Sequence, residues 1–486
     1  MTTTIGTAPN AATGAVPRLA RLPVLSIAAA VAVVHLVASV LGDGYMFDEL
    51  QVLAIGRDHL DWGAADVPPV SPLLAALMDA IAPGSILALR IPAVLATAAA
   101  VVIAALIARE LGGDRRAQVL TAGAQATALW ITFTGHWLTP YTLEPVQWLL
   151  VFWLLVRWIR VRDDRLLLVL GVVVGIAALT KFQVLALCAV MALCVLALGP
   201  RELLRRPMLA AGAGIAALIA APTLVWQAVH GWPQLRMGAI AAAEADYLFG
   251  GRWGVAALLV VCAGVAGTVL GLYGTGRLLM AAELRTYRFL GVAAVVMYVF
   301  FVVTAGRAYY MDGSYGLLAA AGALGLQRRR EAGHRRLRWV AWPAYVVSAA
   351  VAAGPLAVSV PYASAAVPQK IVPEVAAAYD ALPPAQRERT AVFGQSYIYA
   401  GYIDAYRDEY GLPPAYSGNR SYGYFAPPPE DVDTVLSLGK TGDDLRPFFR
   451  DVRRVGGEGD AGLWLATGRT GPWSEIWPRM RTLTVE

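Results

Sequence analysis

Asp48 and Glu49 are adjacent acids set in an aromatic and aliphatic run, with Tyr45, Met46 and Phe47 before them and Leu50 after. Such surroundings disfavour the charged form of a carboxylate and poise it to take up a proton. The pair sits in an acidic stretch, residues 43–72, with Asp43, Asp58, Asp61 and Asp66. Asp58 and Asp61 read as ordinary solvated loop acids. Three later polar segments carry complementary chemistry. One holds His136 and Glu144, one holds Lys181, and one holds Arg307, Tyr309, Tyr310 and Asp312. Brought to one surface, Lys181 and Arg307 would clamp a phosphate while an Asp acts as general base toward a hydroxyl. Asp66, Glu144 and His136 together could also hold a divalent cation, the hard carboxylate oxygens suiting magnesium or manganese, whose requirement is left open. Each residue also has a plainer reading. Lys181 and Arg307 fit helix-end cations that snorkel, Tyr309 and Tyr310 an aromatic belt, His136 an interfacial partner of Trp137, and Glu144 a helix start. Only the joint placement favours chemistry, with Asp48 and Glu49 as its centre.

The elements that must position these residues are membrane helices. The chain is 486 residues long, 58% hydrophobic and only 15% charged, against about 25% charged for a soluble average. The net charge of +6 comes from arginines in short clusters between apolar runs, a topology signal rather than a nucleic-acid surface. Cys188, Cys194 and Cys262 lie within apolar segments and form no disulfide or zinc pattern. A carboxylate at mid-bilayer costs roughly 2.5–3.5 kcal/mol, so the six acids of 43–72 belong outside the hydrocarbon.

Residues 1–21 read as a cytoplasmic N-terminus, unstructured in its Thr-, Ala- and Gly-rich part. Arg18 and Arg21 then place the first span, near 22–41, with the acidic loop 42–72 outside. Within the loop, 49–60 and 70–81 have helical spacing. Further spans fall near 86–108, 117–133, 142–158, 208–229, 253–275, 289–305, 312–326 and 339–360. The run 166–198 is flanked by arginines at both ends and reads as two short spans turning at Thr180-Lys181. The count is about eleven, with 334–338 a basic inner loop, and it places residues 361–486 outside. That tail is Pro-rich and aromatic, and TAVFGQSY, DTVLSL and GLWLAT read as strands of a small α/β domain. The fold class is therefore an α-helical polytopic membrane protein, its membrane part spanning 22–360, with a small C-terminal extracytoplasmic α/β domain.

FDELQVLAIGRDHLDWGAADVPPVSPLLA resembles the first outer loop of glycosyltransferase family 39, integral-membrane GT-C enzymes akin to protein O-mannosyltransferases and lipid A aminoarabinose transferases. HWLTPYTLEPVQWLL, LTKFQVLAL, HGWPQLRMGA and GRAYYMDGSYG resemble later signatures of that group, in the same order. The resemblance implies an inverting transfer of one sugar from a polyprenyl-monophosphate donor to an acceptor on the outer side of the cytoplasmic membrane. It assigns catalysis to Asp48 and Glu49 and donor-phosphate contacts to Lys181 and Arg307, with Tyr309 and Tyr310 beside them. Glu144 matches a second loop acid, and Asp66 the acidic position before Pro68-Pro69. Val67 and Gln51-Val52 stand where aminoarabinose transferases carry basic residues, which argues against lipid A and aminoarabinose as substrates. The segment GYIDAYRDEYGLPPAYSGNRSYGYF resembles the outer domain of bacterial members, where its tyrosines and Asn419 either meet a glycan or pack the domain core. A lipid-linked sugar transporter or flippase is the first alternative, disfavoured because the spans are almost free of acids. A glycan-binding envelope scaffold is the second, and would survive loss of Asp48.

Overall fold

A computed structural model describes residues 16–334, 340–457 and 461–485. Of the unstructured segment expected over 1–17 and the basic loop expected over 334–338, residues 1–15 and 335–338 lie outside the described residues. The helices of the first half are α1 (Arg21–Leu41), α2 (Phe47–Asp58), α3 (Val70–Ile81), α4 (Ile86–Glu110), α5 (Arg115–Ala126), α6 (Leu129–Thr134), α7 (Pro140–Val161), α8 (Arg165–Ala178), α9 (Gln183–Leu198) and α10 (Pro207–Val229). They continue with α11 (Pro233–Phe249), α12 (Gly251–Val261), α13 (Gly264–Met280), α14 (Arg288–Val303), α15 (Asp312–Glu331) and α16 (Ala341–Tyr362). Every segment read as a span is helical, and the two loop helices form as α2 and α3. Among the described residues, six helical stretches are long and apolar enough to cross a membrane alone. The α12–α13 pair, bent by 93°, makes a seventh if taken together.

Two of the expected spans, 117–133 and 253–275, are broken, and the run expected as two short spans turns where the charges place it. The run 166–198 breaks at Leu179–Phe182, as its charge flanks require. The span expected over 117–133 splits into α5 and α6, and that break meets the break between α12 and α13. Leu129 donates its N–H to the Cys262 carbonyl at 2.7 Å. Gly264, at φ +76, lies so close that a Cβ there would sit 2.2 Å from the Thr127 carbonyl oxygen. Non-helical backbone at membrane depth must be satisfied by protein, and here two breaks satisfy each other. Helix α15 is buried along most of its length, so it needs little lipid-facing apolar surface. It packs on α13 through glycine: a Cβ on Gly322 would fall 2.1 Å from the Leu270 carbonyl oxygen, the close approach that small residues permit between membrane helices.

The C-terminal region adds α17 (Ala366–Asp380), α18 (Pro384–Arg387), β1 (Thr390–Gly394), α19 (Tyr397–Tyr410), β2 (Ala415–Tyr416), β3 (Thr434–Gly439), β4 (Phe449–Gly456), β5 (Gly462–Arg469) and α20 (Trp473–Met480). The sheet order is β2-β1-β3-β5-β4, parallel across β2, β1 and β3 and antiparallel beyond. Strands β1 and β3 are buried throughout, because α17 and α19 cover one face and α20 the other. The expected α/β character holds. Helix α19 lies directly on α2: a Cβ on Gly401 would sit 2.9 Å from the Leu50 Cβ. Arg407 of α19 pairs with Asp58 at 2.8 Å. Asp58, expected as a solvated acid, is thus a docking contact, and Asp61 accepts from the Trp226 indole at 2.8 Å.

Candidate active site

Helix α2 begins where the backbone N–H of Met46 is taken by Glu49 Oε2 at 3.0 Å, the reciprocal half of a capping box. Glu49 goes further. Arg90 of α4 donates to it at 2.7 and 3.0 Å, the Leu138 N–H donates at 3.1 Å, and both side chains of the ion pair are fully buried. Glu49 was expected to share in catalysis with Asp48. Its oxygens are committed to Arg90 and two backbone donors, and it anchors the start of α2 against α4 and the loop before α7.

Asp48 faces the other way and stays partly exposed. The Tyr397 hydroxyl donates to Oδ1 at 2.9 Å and the Tyr141 hydroxyl to Oδ2 at 3.0 Å. Burial pushes its pKa above the ordinary carboxylate value, while Arg420 and the two tyrosine hydroxyls pull it back. Asp48 is thus a carboxylate held between two phenol hydroxyls, with burial and Arg420 acting on it in opposite senses.

Lys181, at the α8–α9 break, lies 3.0 Å from Glu144 and points over the rings of Tyr310 and Tyr309, at 4.4 and 4.9 Å. Tyr309 stacks on Trp130 at 4.4 Å and sits 5.2 Å from Tyr141. These two tyrosines face a cation and the protein interior rather than forming a lipid-facing belt. Arg307 pairs with Glu244 of α11, and Arg420 reaches the same carboxylate from the other side at 3.3 Å. Arg420 also lies 3.7 Å from Asp66 and 4.9 Å above the Tyr397 ring. Burial works against its charge, but Tyr397, Asp66, Asp48 and Glu244 together hold its pKa above the usual arginine value. Arg307 Nη1 and Arg420 Nε are buried and have no hydrogen-bond acceptor among the described residues. Ala305, two residues before Arg307, and Arg420 itself are at φ 45 and φ 47. Left-handed backbone in non-glycine residues costs of order 1–2 kcal/mol, and such strain collects at functional sites.

The metal set expected from Asp66, Glu144 and His136 does not come together. Glu144 is neutralised by Lys181, Asp66 accepts from Gln51 at 2.9 Å and from Ser421, and His136 pairs with His35 at 3.2 Å. No group of three His, Cys, Asp or Glu side chains is arranged to hold an ion among the described residues. The donors are already spent on cations and neighbours, so they do not fit a metal. Asn419, expected to meet either a glycan or the core, is buried and holds the Tyr397 N–H, Thr482 and the Thr484 carbonyl.

Sequence reasoning missed Tyr141, Tyr397, Arg420, Glu244 and Arg90. Glu244 had a legible signal, since it and Asp246 are acids closing the apolar run AIAAAEAD. Arg420 stood within a segment already singled out, but nothing local marks it as a neighbour of Asp48.

The family model described as dolichyl-phosphate-mannose-protein mannosyltransferase matches residues 66–226, about a third of the chain. That stretch carries Asp66, Glu144 and Lys181 but ends before Arg307 and begins after Asp48. No curated protein matches. Among solved structures, the chain is similar to ArnT from Cupriavidus metallidurans in the apo state, at 15% identity and TM-score 0.66, over 91% of this chain and 97% of that one. The same protein bound to undecaprenyl phosphate matches at 15% identity and TM-score 0.62, over 92% and 99%. The archaeal oligosaccharyltransferase AglB from Archaeoglobus fulgidus, in complex with an inhibitory peptide and a dolichol-phosphate, matches at 13% and TM-score 0.50, over 88% and 70%. The polytopic helical fold with a small C-terminal α/β unit expected from the sequence is therefore one shared with ArnT over nearly the whole of both chains.

Proposed function

We propose that this GT-C-fold chain moves one sugar from a polyprenyl monophosphate to an acceptor hydroxyl, on the outer face of the cytoplasmic membrane. What supports the reading best is the pairing of a desolvated carboxylate with buried cationic donors that lack acceptors. Asp48 sits at one end of a wall made by Tyr141 and Tyr309, and Lys181 lies over the other end. Arg307 and Arg420 converge on Glu244 with Nη1 and Nε left over. Buried charged donors without acceptors are rare in native proteins, and a phosphate would satisfy them. The names of the similar proteins agree in kind: a mannosyltransferase family using dolichyl phosphate, and structures holding undecaprenyl phosphate or dolichol-phosphate.

In this reading Asp48 takes the proton of the acceptor hydroxyl as its oxygen attacks the anomeric carbon. The bond from that carbon to the phosphate oxygen breaks, and the electron pair leaves with polyprenyl phosphate. The leaving group is a stable anion, so cationic stabilisation by Lys181 and Arg307 suffices and no strong general acid is needed. Attack opposite the leaving group inverts the anomeric centre. Glu49 positions the start of α2 and touches no substrate.

The test is release of free polyprenyl phosphate from a panel of polyprenyl-phosphate hexoses and pentoses by the reconstituted protein, with water or an added alcohol as the surrogate acceptor hydroxyl. Asp48→Asn is expected to lower release by about 10²–10⁴ while donor binding persists. Undiminished release by that variant would sink the assignment.

A further inference from the structure

The C-terminal sheet holds a cavity of mixed polar and apolar lining, away from the residues of the proposed transfer site. From β1 the chain leaves through α19 to β2 on one side, whereas β3 leads to β4 on the other side of the sheet. Strand order reverses there, so a crevice opens beyond the carboxyl ends of β1 and β3, where open α/β sheets place their ligands. A cavity of about 220 Å³ occupies it. Its walls include Gln395 at the end of β1, Ser437 of β3, Asp444 and Phe448 after β3, and Arg479 and Thr482 at the end of α20.

The chemistry of these walls selects a ligand class. Asp444 only accepts, Arg479 only donates, and Gln395, Ser437 and Thr482 do both. Gln395 is held in place, donating to Asp444 at 2.8 Å and accepting the Lys440 N–H at 2.6 Å. The Arg479 guanidinium is held 5.2 Å over the Phe448 ring, and Phe393, Leu445 and Met480 give the lining its apolar surface. A phosphate fits poorly, because Asp444 repels it and the adjacent helix start is already closed. There the Tyr397 N–H is taken by Asn419 at 3.2 Å and the Tyr399 N–H by Ser396. A ring carrying several hydroxyls, each both donor and acceptor, with an apolar CH face, matches every feature.

We propose that this cavity is a saccharide-binding subsite that takes one neutral sugar ring of a glycan. It stands independently of the transfer reaction and would hold even if Asp48 did no chemistry. The subsite is nonetheless framed with the carboxylate site. Asn419 binds Thr482 at the cavity, at 3.0 Å, and its carbonyl oxygen holds Tyr397, whose hydroxyl holds Asp48.

The test is saturation-transfer NMR on the full chain in nanodiscs with methyl mannoside, glucoside, galactoside and arabinoside. Inorganic phosphate and uridine monophosphate serve as anionic competitors. At least one glycoside should receive saturation, insensitive to either anion and unchanged in Asp48→Asn. Arg479→Ala should weaken binding about tenfold, the worth of one charge-assisted hydrogen bond, and Ser437→Trp should abolish it by filling the cavity. Should Ser437→Trp lose its native unfolding temperature, Arg479→Ala, an exposed position, decides alone. The proposal is overturned by an absence of signal across the panel, by displacement by either anion, by full binding in Arg479→Ala or a natively folded Ser437→Trp, or by loss of binding in Asp48→Asn.

Discussion

The hydroxyl of Tyr397 donates a 2.9 Å hydrogen bond to Asp48 across 349 positions of sequence. The C-terminal α/β unit therefore completes the surroundings of the carboxylate that begins α2, and its position on α2 is held by Arg407–Asp58 and the Gly401–Leu50 contact.

Removing that hydroxyl should be visible in the pH profile. A hydrogen bond to the ionised carboxylate lowers its pKa, opposing the upward push of burial on Asp48. Tyr397→Phe is expected to move the acidic limb of kcat/KM to higher pH, because the base is ionised only at higher pH. Rates measured from pH 4 to 9 on both proteins check this, and an unmoved limb would show that Asp48 is not the titrating base.

The cations on the opposite side should matter to leaving-group departure. Lys181→Met or Arg307→Met is expected to lower kcat/KM by about 10²–10³, the size of one preorganised electrostatic contact in a water-poor site. Arg307→Lys should recover only part of this, since a point charge cannot serve Glu244 and a phosphate in the same forked geometry. Single-turnover rates with a fixed donor separate this effect from weaker binding.

Glu49 should behave as a structural residue. Glu49→Ala leaves Arg90 charged and buried without its partner, a change that costs about 3–5 kcal/mol. Thermal unfolding in detergent is expected to fall sharply, and Glu49→Leu combined with Arg90→Met should restore most of it. If Glu49→Ala instead kept native stability and lost only turnover, the anchoring role assigned here would be wrong.

Asp404 offers a pH test of the C-terminal unit. Burial pushes its carboxyl up to about 6, against the Ala415 N–H and the Tyr422 hydroxyl that both donate to it at 2.8 Å. The folded state then binds a proton more readily than the unfolded chain between about pH 4 and 6. Its contribution to stability is complete below the unfolded value and is lost as pH rises through about 6, by up to about 2–3 kcal/mol. Asp404→Asn should flatten the fall in unfolding temperature between pH 4.5 and 7. A wild-type melting curve that stays flat across that window counts against the shift.

Asp48, Lys181, Arg307, Tyr309 and Tyr310 were legible as one surface, because charges and tyrosines flanking apolar runs have few places to go in a membrane protein. Glu49 was not separable from Asp48 by reading alone. Adjacent residues of a helix point about 100° apart, so one acid meets Tyr141 and Tyr397 while its neighbour meets Arg90. The grouping of Asp66, Glu144 and His136 failed for a related reason. Sharing a loop surface does not say which cation each acid will neutralise first.

Hydropathy and arginine spacing, which depend only on residues close along the chain, determined by themselves the helices, the acidic loop, the 166–198 break and the α/β tail. Which side chains surround the carboxylate was decided only by folding. Arg420, Tyr397 and Glu244 reach Asp48 and Arg307 through α11 and the sheet. A buried charge is satisfied by whatever partner packing delivers within about 3–4 Å, however far away it lies in sequence.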